Sequence, residues 1–232
     1  MPEAAYTLTP IAHIRSEFRE KFGIPRQSGL VDALRAQVVF TPPFRNADAL
    51  RGIEGYSHLW LLWHFSEAER EGWSPTVRPP KLGGNRRMGV FATRSPFRPN
   101  AIGLSSVRLN RAELHTPEGP VLHISGADLM DGTPILDIKP YLAYTDAHPD
   151  AAGGFAYEVL QRTLPVDCPP DLLARLPENR REALLSVLAQ DPRPGYQDEP
   201  DRLYGFPFAG FEVRFSVSDG RLTVVDIEPA NG

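Results

Sequence analysis

His58-Leu-Trp-Leu-Leu-Trp-His-Phe65 is the stretch on which the fold turns. It is the most apolar run in the chain, yet it is far shorter than the roughly 20 residues a membrane-spanning helix needs. Read as a β-strand, it has company: Gln37–Phe40, Gly89–Thr93, Ser105–Leu109 and Val121–Gly126 are short runs of the same kind. Between them stand prolines, 24 in 232 residues, about twice the usual share of roughly 5%. They fall in Ile24-Pro25-Arg26, Thr41-Pro42-Pro43, Arg78-Pro79-Pro80, Ser95-Pro96, Arg98-Pro99 and Lys139-Pro140. Proline fixes φ and lacks a donor, so these positions mark strand ends and connectors. Many short strands with little helix predict a β-barrel or a strongly curved sheet, with a helical turn at Ala47–Leu50. Trp60 and Trp63 are expected to share one face of their strand as core packing. His58 is expected to be a satisfied, partly buried histidine, with a role as base left as the alternative.

The pattern changes after Asp150-Ala-Ala-Gly-Gly154. Pro169-Pro170 and Pro177 bracket short helical turns. Glu178–Gln190 then places Leu184, Val187 and Leu188 on one helical face before Asp191-Pro-Arg-Pro194 ends the helix. Phe211-Glu-Val-Arg-Phe-Ser-Val217 alternates with period two, Asp219-Gly220 offers a hairpin turn, and Leu222–Ile227 returns. The expected division is a β-barrel domain at 1–153 and a small α+β domain at 154–232.

Composition bounds the function. Hydrophobic residues make up 41% and charged residues 23%, the ordinary globular balance. Met1-Pro-Glu-Ala4 carries none of the features of a secretory signal, which predicts a cytoplasmic protein. Cys168 is the only cysteine, which excludes an intramolecular disulfide and a cysteine-built zinc site, and no metal is expected. The net charge of -4 conceals an asymmetry: residues 78–111 hold eight basic side chains and no acidic one. Phosphate attraction is screened within about 10 Å, so this local surplus could face a polyanion or be solvated and partnered from elsewhere.

No G-x-G-x-x-G follows a strand, and no P-loop, His-Glu-x-x-His or Gly-x-Ser-x-Gly is present, which disfavours the common dehydrogenases, kinases, zincins and α/β-hydrolases. Unusual residues concentrate instead in a few ordered segments: Gly23-Ile-Pro-Arg-Gln27, Ser57-His-Leu-Trp60 and Val77-Arg-Pro-Pro-Lys-Leu-Gly-Gly-Asn85. Further along stand Gly89-Val-Phe-Ala-Thr-Arg-Ser-Pro-Phe-Arg-Pro-Asn100, Asp128-Leu-Met-Asp-Gly-Thr-Pro134, Asp137-Ile-Lys-Pro-Tyr-Leu142 and Asp191-Pro-Arg-Pro194.

Together these segments closely resemble the TrmO (TsaA-like) family over most of residues 8–148 and, more thinly, the tail. The resemblance implies a single-sheeted β-barrel with a small C-terminal domain, a homodimer, and S-adenosylmethionine as methyl donor. It implies that the acceptor is N6 of threonylcarbamoyl-adenosine at tRNA position 37, in threonine tRNA. The chain departs from the family pattern at Glu17, Ala101 and Gly195, and reads Phe65-Ser66-Glu67 where relatives often carry a histidine.

On that resemblance the donor would be held by Pro25, Arg26, Gln27, Ser66, Glu67, Arg94, Leu104, Asp128, Leu129, Met130, Asp131, Gly132 and Thr133. Arg26 and Arg94 suit a carboxylate or phosphate because a guanidinium fork matches planar anions, though each could tie loops together by an internal salt bridge. Gln27 could read an adenine edge or cap a loop, and Leu104 and Met130 would supply apolar walls. Methyl transfer to an amide-like nitrogen calls for a proton acceptor, and Asp128 and Asp131 are the candidates. Asp131-Gly132 could equally form a turn in which Asp131 bonds its own backbone. Arg86, Arg87, Arg98 and Lys139 are candidate tRNA phosphate contacts. Two alternatives stay open: a non-catalytic S-adenosylmethionine-binding module, and methyl transfer to another substrate.

Overall fold

The computed structural model describes residues 6–68, 73–79, 86–158, 163–193, 199 and 202–230. In the first half, apolar residues alternating with polar ones build six antiparallel strands: β1 (Ala12–Arg15), β2 (Arg35–Phe40), β3 (His58–His64), β6 (Ile102–Glu113), β7 (Val121–Ser125) and β8 (Pro134–Pro140). They close into a barrel in the order β1-β2-β7-β6-β3-β8, with β8 returning to β1. Closure gives every strand two neighbours, so no edge is left to template aggregation. The interior is filled by Ile14, Val38, Leu59, Leu61, Val107, Leu122, Ile124 and Ile135. Each such side chain stabilises the fold by roughly 1.5–3 kcal/mol on burial.

Trp60 and Trp63 do not share a face. Three residues apart, they fall on opposite sides of a period-two strand: Trp63 points into the barrel and Trp60 outward. Trp60 donates to Asp146 Oδ2 at 2.8 Å and packs on Tyr141 at 5.4 Å between ring centroids. On β6 the alternation slips at Asn110, where a bulge between Leu109 and Arg111 reverses the phase against β7.

Gly89–Thr93 is not a strand of the sheet. Met88–Gly89 (β5) makes only a two-residue ladder with Thr76–Val77 (β4), and Val90–Ala92 is a 3-10 turn. Beyond the Val90 N–H, which donates to Pro75 O at 2.9 Å, the Thr93 N–H and hydroxyl both turn back to Val90 O, competing with a ladder. The turn expected at Ala47–Leu50 forms, with Asn46 Oδ1 accepting from the Asp48 backbone at 3.0 Å.

The second half forms a four-stranded sheet in the order β10 (Tyr204–Phe208), β11 (Phe211–Ser218), β12 (Arg221–Pro229), β9 (Val166–Asp167). The β11–β12 hairpin turns at Asp219 and Gly220, both at positive φ, as a tight two-residue connection requires. Helix Glu178–Ala189 packs Ala183, Leu184, Val187 and Leu188 into the core of that sheet. Pro177 precedes it and Pro192 follows it.

The two halves share a segment. The connection from β1 to β2 leaves the barrel and buries Phe18, Val31 and Leu34 in the second core, with Phe18 5.8 Å from Phe208. Gly23, at φ +88°, lies against Phe206, where a Cβ would come within 2.4 Å of the ring. Glu17, one of the departures from the family pattern, pairs with Arg180 of the helix.

Candidate active site

Antiparallel order dictates which loops meet. β1, β3 and β7 end where β2, β6 and β8 begin, so the β1–β2, β3–β6 and β7–β8 connections all leave the same end of the barrel. Those connections carry Pro25, Arg26, Gln27, Ser66, Glu67, Arg94 and residues 128–133. Motifs far apart in sequence are therefore gathered by topology rather than by proximity along the chain.

At the centre of this end Asp128 Oδ1 accepts a hydrogen bond from Ser105 Oγ at 2.6 Å. Burial pushes the Asp128 carboxyl above the ordinary carboxylate range, while the Ser105 hydroxyl, the Ser28 backbone N–H and the Arg94 charge pull against that shift. Arg94 Nη1 donates to Gln27 Oε1, and Gln27 Nε2 donates to Arg26 O. Arg26 Nη2 reaches Arg193 O at 3.0 Å, and burial lowers its pKa despite nearby Asp191. Arg26 thus ties the loop to the C-terminal signature, which leaves Arg94 as the guanidinium beside Asp128.

Asp131 faces elsewhere. Its Oδ1 accepts from the Ser16 backbone N–H at 2.9 Å, so it bonds the end of β1 and not its own turn. It also lines an outer groove of about 410 Å³ with His13, Arg15 and Arg45. The turn itself is closed by Thr133, whose N–H and hydroxyl both donate to Met130 O. Leu129 belongs to the barrel core, with its carbonyl accepting from Ser16 Oγ. Gly132, at positive φ, donates to Ile14 O. Of this loop, Asp128 alone carries a charged group into the space beside Arg94.

Ser66 and Glu67 form one exposed 3-10 turn after β3, and Lys21 Nζ donates to Glu67 O. Leu104 is 53% exposed on the outer face of β6, opposite Leu62, and supplies an apolar surface at the same end. A smaller hollow of about 230 Å³ lies between Lys21–Arg26 and Val187, Gln190, Asp191 and Pro192. Asp128 lines neither hollow.

Arg87 donates to Thr76 Oγ1 at 3.1 Å and Arg98 to Thr93 O at 3.2 Å, neutral acceptors that leave each positive charge in place. Arg86 is exposed in the same connection. Lys139 is not among them: near the opposite end of β8, it pairs with Asp137 Oδ2 at 2.8 Å. His58 also lies at that far end, its Nδ1 satisfied by Ser57 Oγ at 2.9 Å. Lys81, the Gly83-Gly-Asn85 motif, Pro194, Gly195 and the first four residues lie outside the described residues. Sequence reading missed Ser105, Trp63 and Ser28. The available signal was Ser105 itself, a hydroxyl among the otherwise non-polar inward positions Gly103, Val107 and Leu109 of its strand.

The family model for the tRNA-methyltransferase O N-terminal domain matches residues 13–147, and that for the TrmO C-terminal domain matches 161–230. The chain belongs to the TrmO family. It is 42% identical to the tRNA (adenine(37)-N6)-methyltransferase of Escherichia coli strain K12, over 97% of this chain and 99% of that one. A putative S-adenosylmethionine-dependent methyltransferase of Pseudomonas aeruginosa is 45% identical over 90% of this chain and 92% of its own. The crystal structure of the P. aeruginosa TrmO superposes with a TM-score of 0.78 at 37% identity, covering 98% of each chain. The TrmO N-terminal match spans all three connections at the Asp128 end of the barrel.

These residues fit a sulfonium nucleoside on chemical grounds. Arg94 offers a cation for its carboxylate, Asp128 a carboxylate for positive charge, Gln27 an amide for polar edges, and Leu104 an apolar surface.

Proposed function

We infer that this TrmO-family chain transfers a methyl group from S-adenosylmethionine to N6 of adenosine 37 in tRNA, and that the acceptor is the threonylcarbamoylated adenosine of threonine tRNA. The observation that carries the reading is the placement of Asp128 beside Arg94 and Gln27, at the barrel end whose β3–β6 connection is rich in arginine. The match to the E. coli enzyme over nearly the full length of both chains supports it.

S-adenosylmethionine would supply a methyl group bound to a sulfonium, open to in-line displacement by N6 with the neutral thioether as leaving group. The protein aligns the reactants and removes competing water. Arg94 holds the donor carboxylate, Gln27 bonds a polar edge, and Leu104 covers apolar surface. The backbone of 128–133 and the turn at Ser66-Glu67, with the Pro25-Arg26 corner, shape the walls. Asp128 takes the N6 proton as the new N–C bond forms, and burial makes its carboxylate more basic than an exposed one. Arg86, Arg87 and Arg98 meet tRNA phosphates near the anticodon, and Lys139 meets RNA running down the barrel.

In this reading the barrel domain ends near residue 153 and borrows the β1–β2 connection as its link to the C-terminal domain. The chain works as a cytoplasmic homodimer, for which exposed apolar side chains such as Ile102 and Phe91, the latter 72% exposed, are available.

The test is incubation with labelled donor and total tRNA from cells with and without the threonylcarbamoyl modification, followed by nucleoside mass spectrometry. Label in methylated threonylcarbamoyl-adenosine, and none in tRNA lacking the modification, is the expected result. Donor binding without transfer to tRNA would make the chain a binding module, and label in a tRNA-free lysate would assign another substrate.

A further inference from the structure

One chain of hydrogen bonds links the apolar barrel interior to Asp128. Ser105 is 1% exposed, and its Oγ lies 3.0 Å from Trp63 Nε1 and 2.6 Å from Asp128 Oδ1. An indole N–H can only donate, so Ser105 Oγ accepts from Trp63, and its single proton is directed at Asp128. The polarity of the chain follows from the chemistry of the three groups. It runs along the inner face of the barrel from β3 to the neighbouring β6, where Trp63 pairs with Gly103, and on to the β7–β8 connection.

Its geometry is enforced by packing. The Trp63 ring is tilted against Phe65 at 4.1 Å between centroids and lies over Gly103, where a Cβ would fall 2.2 Å from the ring. Only glycine leaves room for the indole at that position. The tryptophan is thereby fixed with its N–H at Ser105, and a change of Ser105 rotamer that moved Oγ away would both leave that indole N–H unpaired and break the bond to Asp128.

We propose that Ser105, locked by Trp63, is a positioning residue for the methyl transfer: it keeps Asp128 Oδ1 a permanent acceptor and directs the incoming proton to Oδ2. The proposal rests on Asp128 being the proton acceptor. It gives β6 a part in the chemistry beyond closing the barrel. Without the hydroxyl, the carboxyl keeps the Ser28 backbone N–H but loses the donor that fixes Oδ1 and favours its ionised form.

The test compares wild type, Ser105→Ala, Ser105→Thr and Trp63→Phe by single-turnover methylation of tRNA across pH, with donor affinity by calorimetry. Ser105→Ala is expected to slow transfer about 10- to 100-fold, the size of a lost hydrogen bond to a charged group. Donor affinity should stay within about threefold, and the acid limb of the pH profile should move upward. Ser105→Thr should restore the limb towards its wild-type position. Trp63→Phe should shift it in the same direction by less, and it carries the test should Ser105→Ala fail to fold. Rates and acid limbs unchanged in folded Ser105→Ala or, in its stead, Trp63→Phe overturn the positioning role, with Asp128→Asn inactive showing that the acceptor itself stands. Wild-type rates in Asp128→Asn would overturn the acceptor and this role with it.

Discussion

Asp128 and Asp131 lie three positions apart on one connection, and their neighbours separate their work. Asp128 is drawn among Ser105, Ser28 and Arg94, where burial raises its proton affinity. Asp131 is exposed and bonds the Ser16 N–H beside Arg15. Asp128→Asn is therefore expected to lower the single-turnover rate by about 10²- to 10⁴-fold, the usual loss for a general base. Asp131→Asn retains an acceptor for Ser16 and should keep the rate within about fivefold, which rapid-quench measurements on both variants would decide. The raised affinity also has a thermodynamic sign. An acid that binds its proton more tightly when folded stabilises the protein fully below its unfolded pKa, and that contribution is lost as pH rises through the folded value. The stability of wild type relative to Asp128→Asn should thus fall as pH climbs upward from about 4, read as urea midpoints at a series of pH values. A difference independent of pH would mean that the carboxyl is not perturbed.

Among the elements, β6 and the β1–β2 connection do the most positioning. Gly103→Ala forces a methyl group into the Trp63 ring and should cost about 1–3 kcal/mol of stability, as overpacked cores do, together with activity, because the indole holds Ser105. The Glu17–Arg180 pair fixes the start of the connection to the C-terminal helix. A double-mutant cycle should give a coupling of about 1 kcal/mol, reduced by salt. How far these elements can be read from sequence depends on periodicity. β3 and β7 announce themselves as short apolar runs, and the β11–β12 hairpin does so because alternation and turn residues agree. β1 is four residues with only Ala12 and Ile14 facing inward, too short to stand out. β8 is bounded by Pro134 and Pro140 and broken by Asp137 and Lys139, which looks like a loop until it is paired on both sides. β10 carries Gly205 and Pro207, tolerable because it is an edge strand. The site loops were legible as motifs, whereas the Trp63–Ser105–Asp128 chain depends on which strands are neighbours, and nothing local in the sequence states that.

For the whole molecule, a net charge of -4 and an acid-free arginine-rich stretch coexist because phosphate attraction is local. Arg87→Ala should weaken tRNA binding and lower the slope of log affinity against log salt by about 1, read by filter binding between low and physiological salt. An unchanged slope would remove Arg87 from the RNA surface. Antiparallel order makes the β1–β2, β3–β6 and β7–β8 connections leave one rim of the barrel and the β2–β3 and β6–β7 connections the other, and the proposed function places the chemistry at the first. Hydrogen–deuterium exchange with and without S-adenosylmethionine reads that division directly. Protection concentrated in 16–34, 65–101 and 126–133, with 41–57 and 114–120 unchanged, is the predicted result. Protection centred on 41–57 or 114–120 would contradict it.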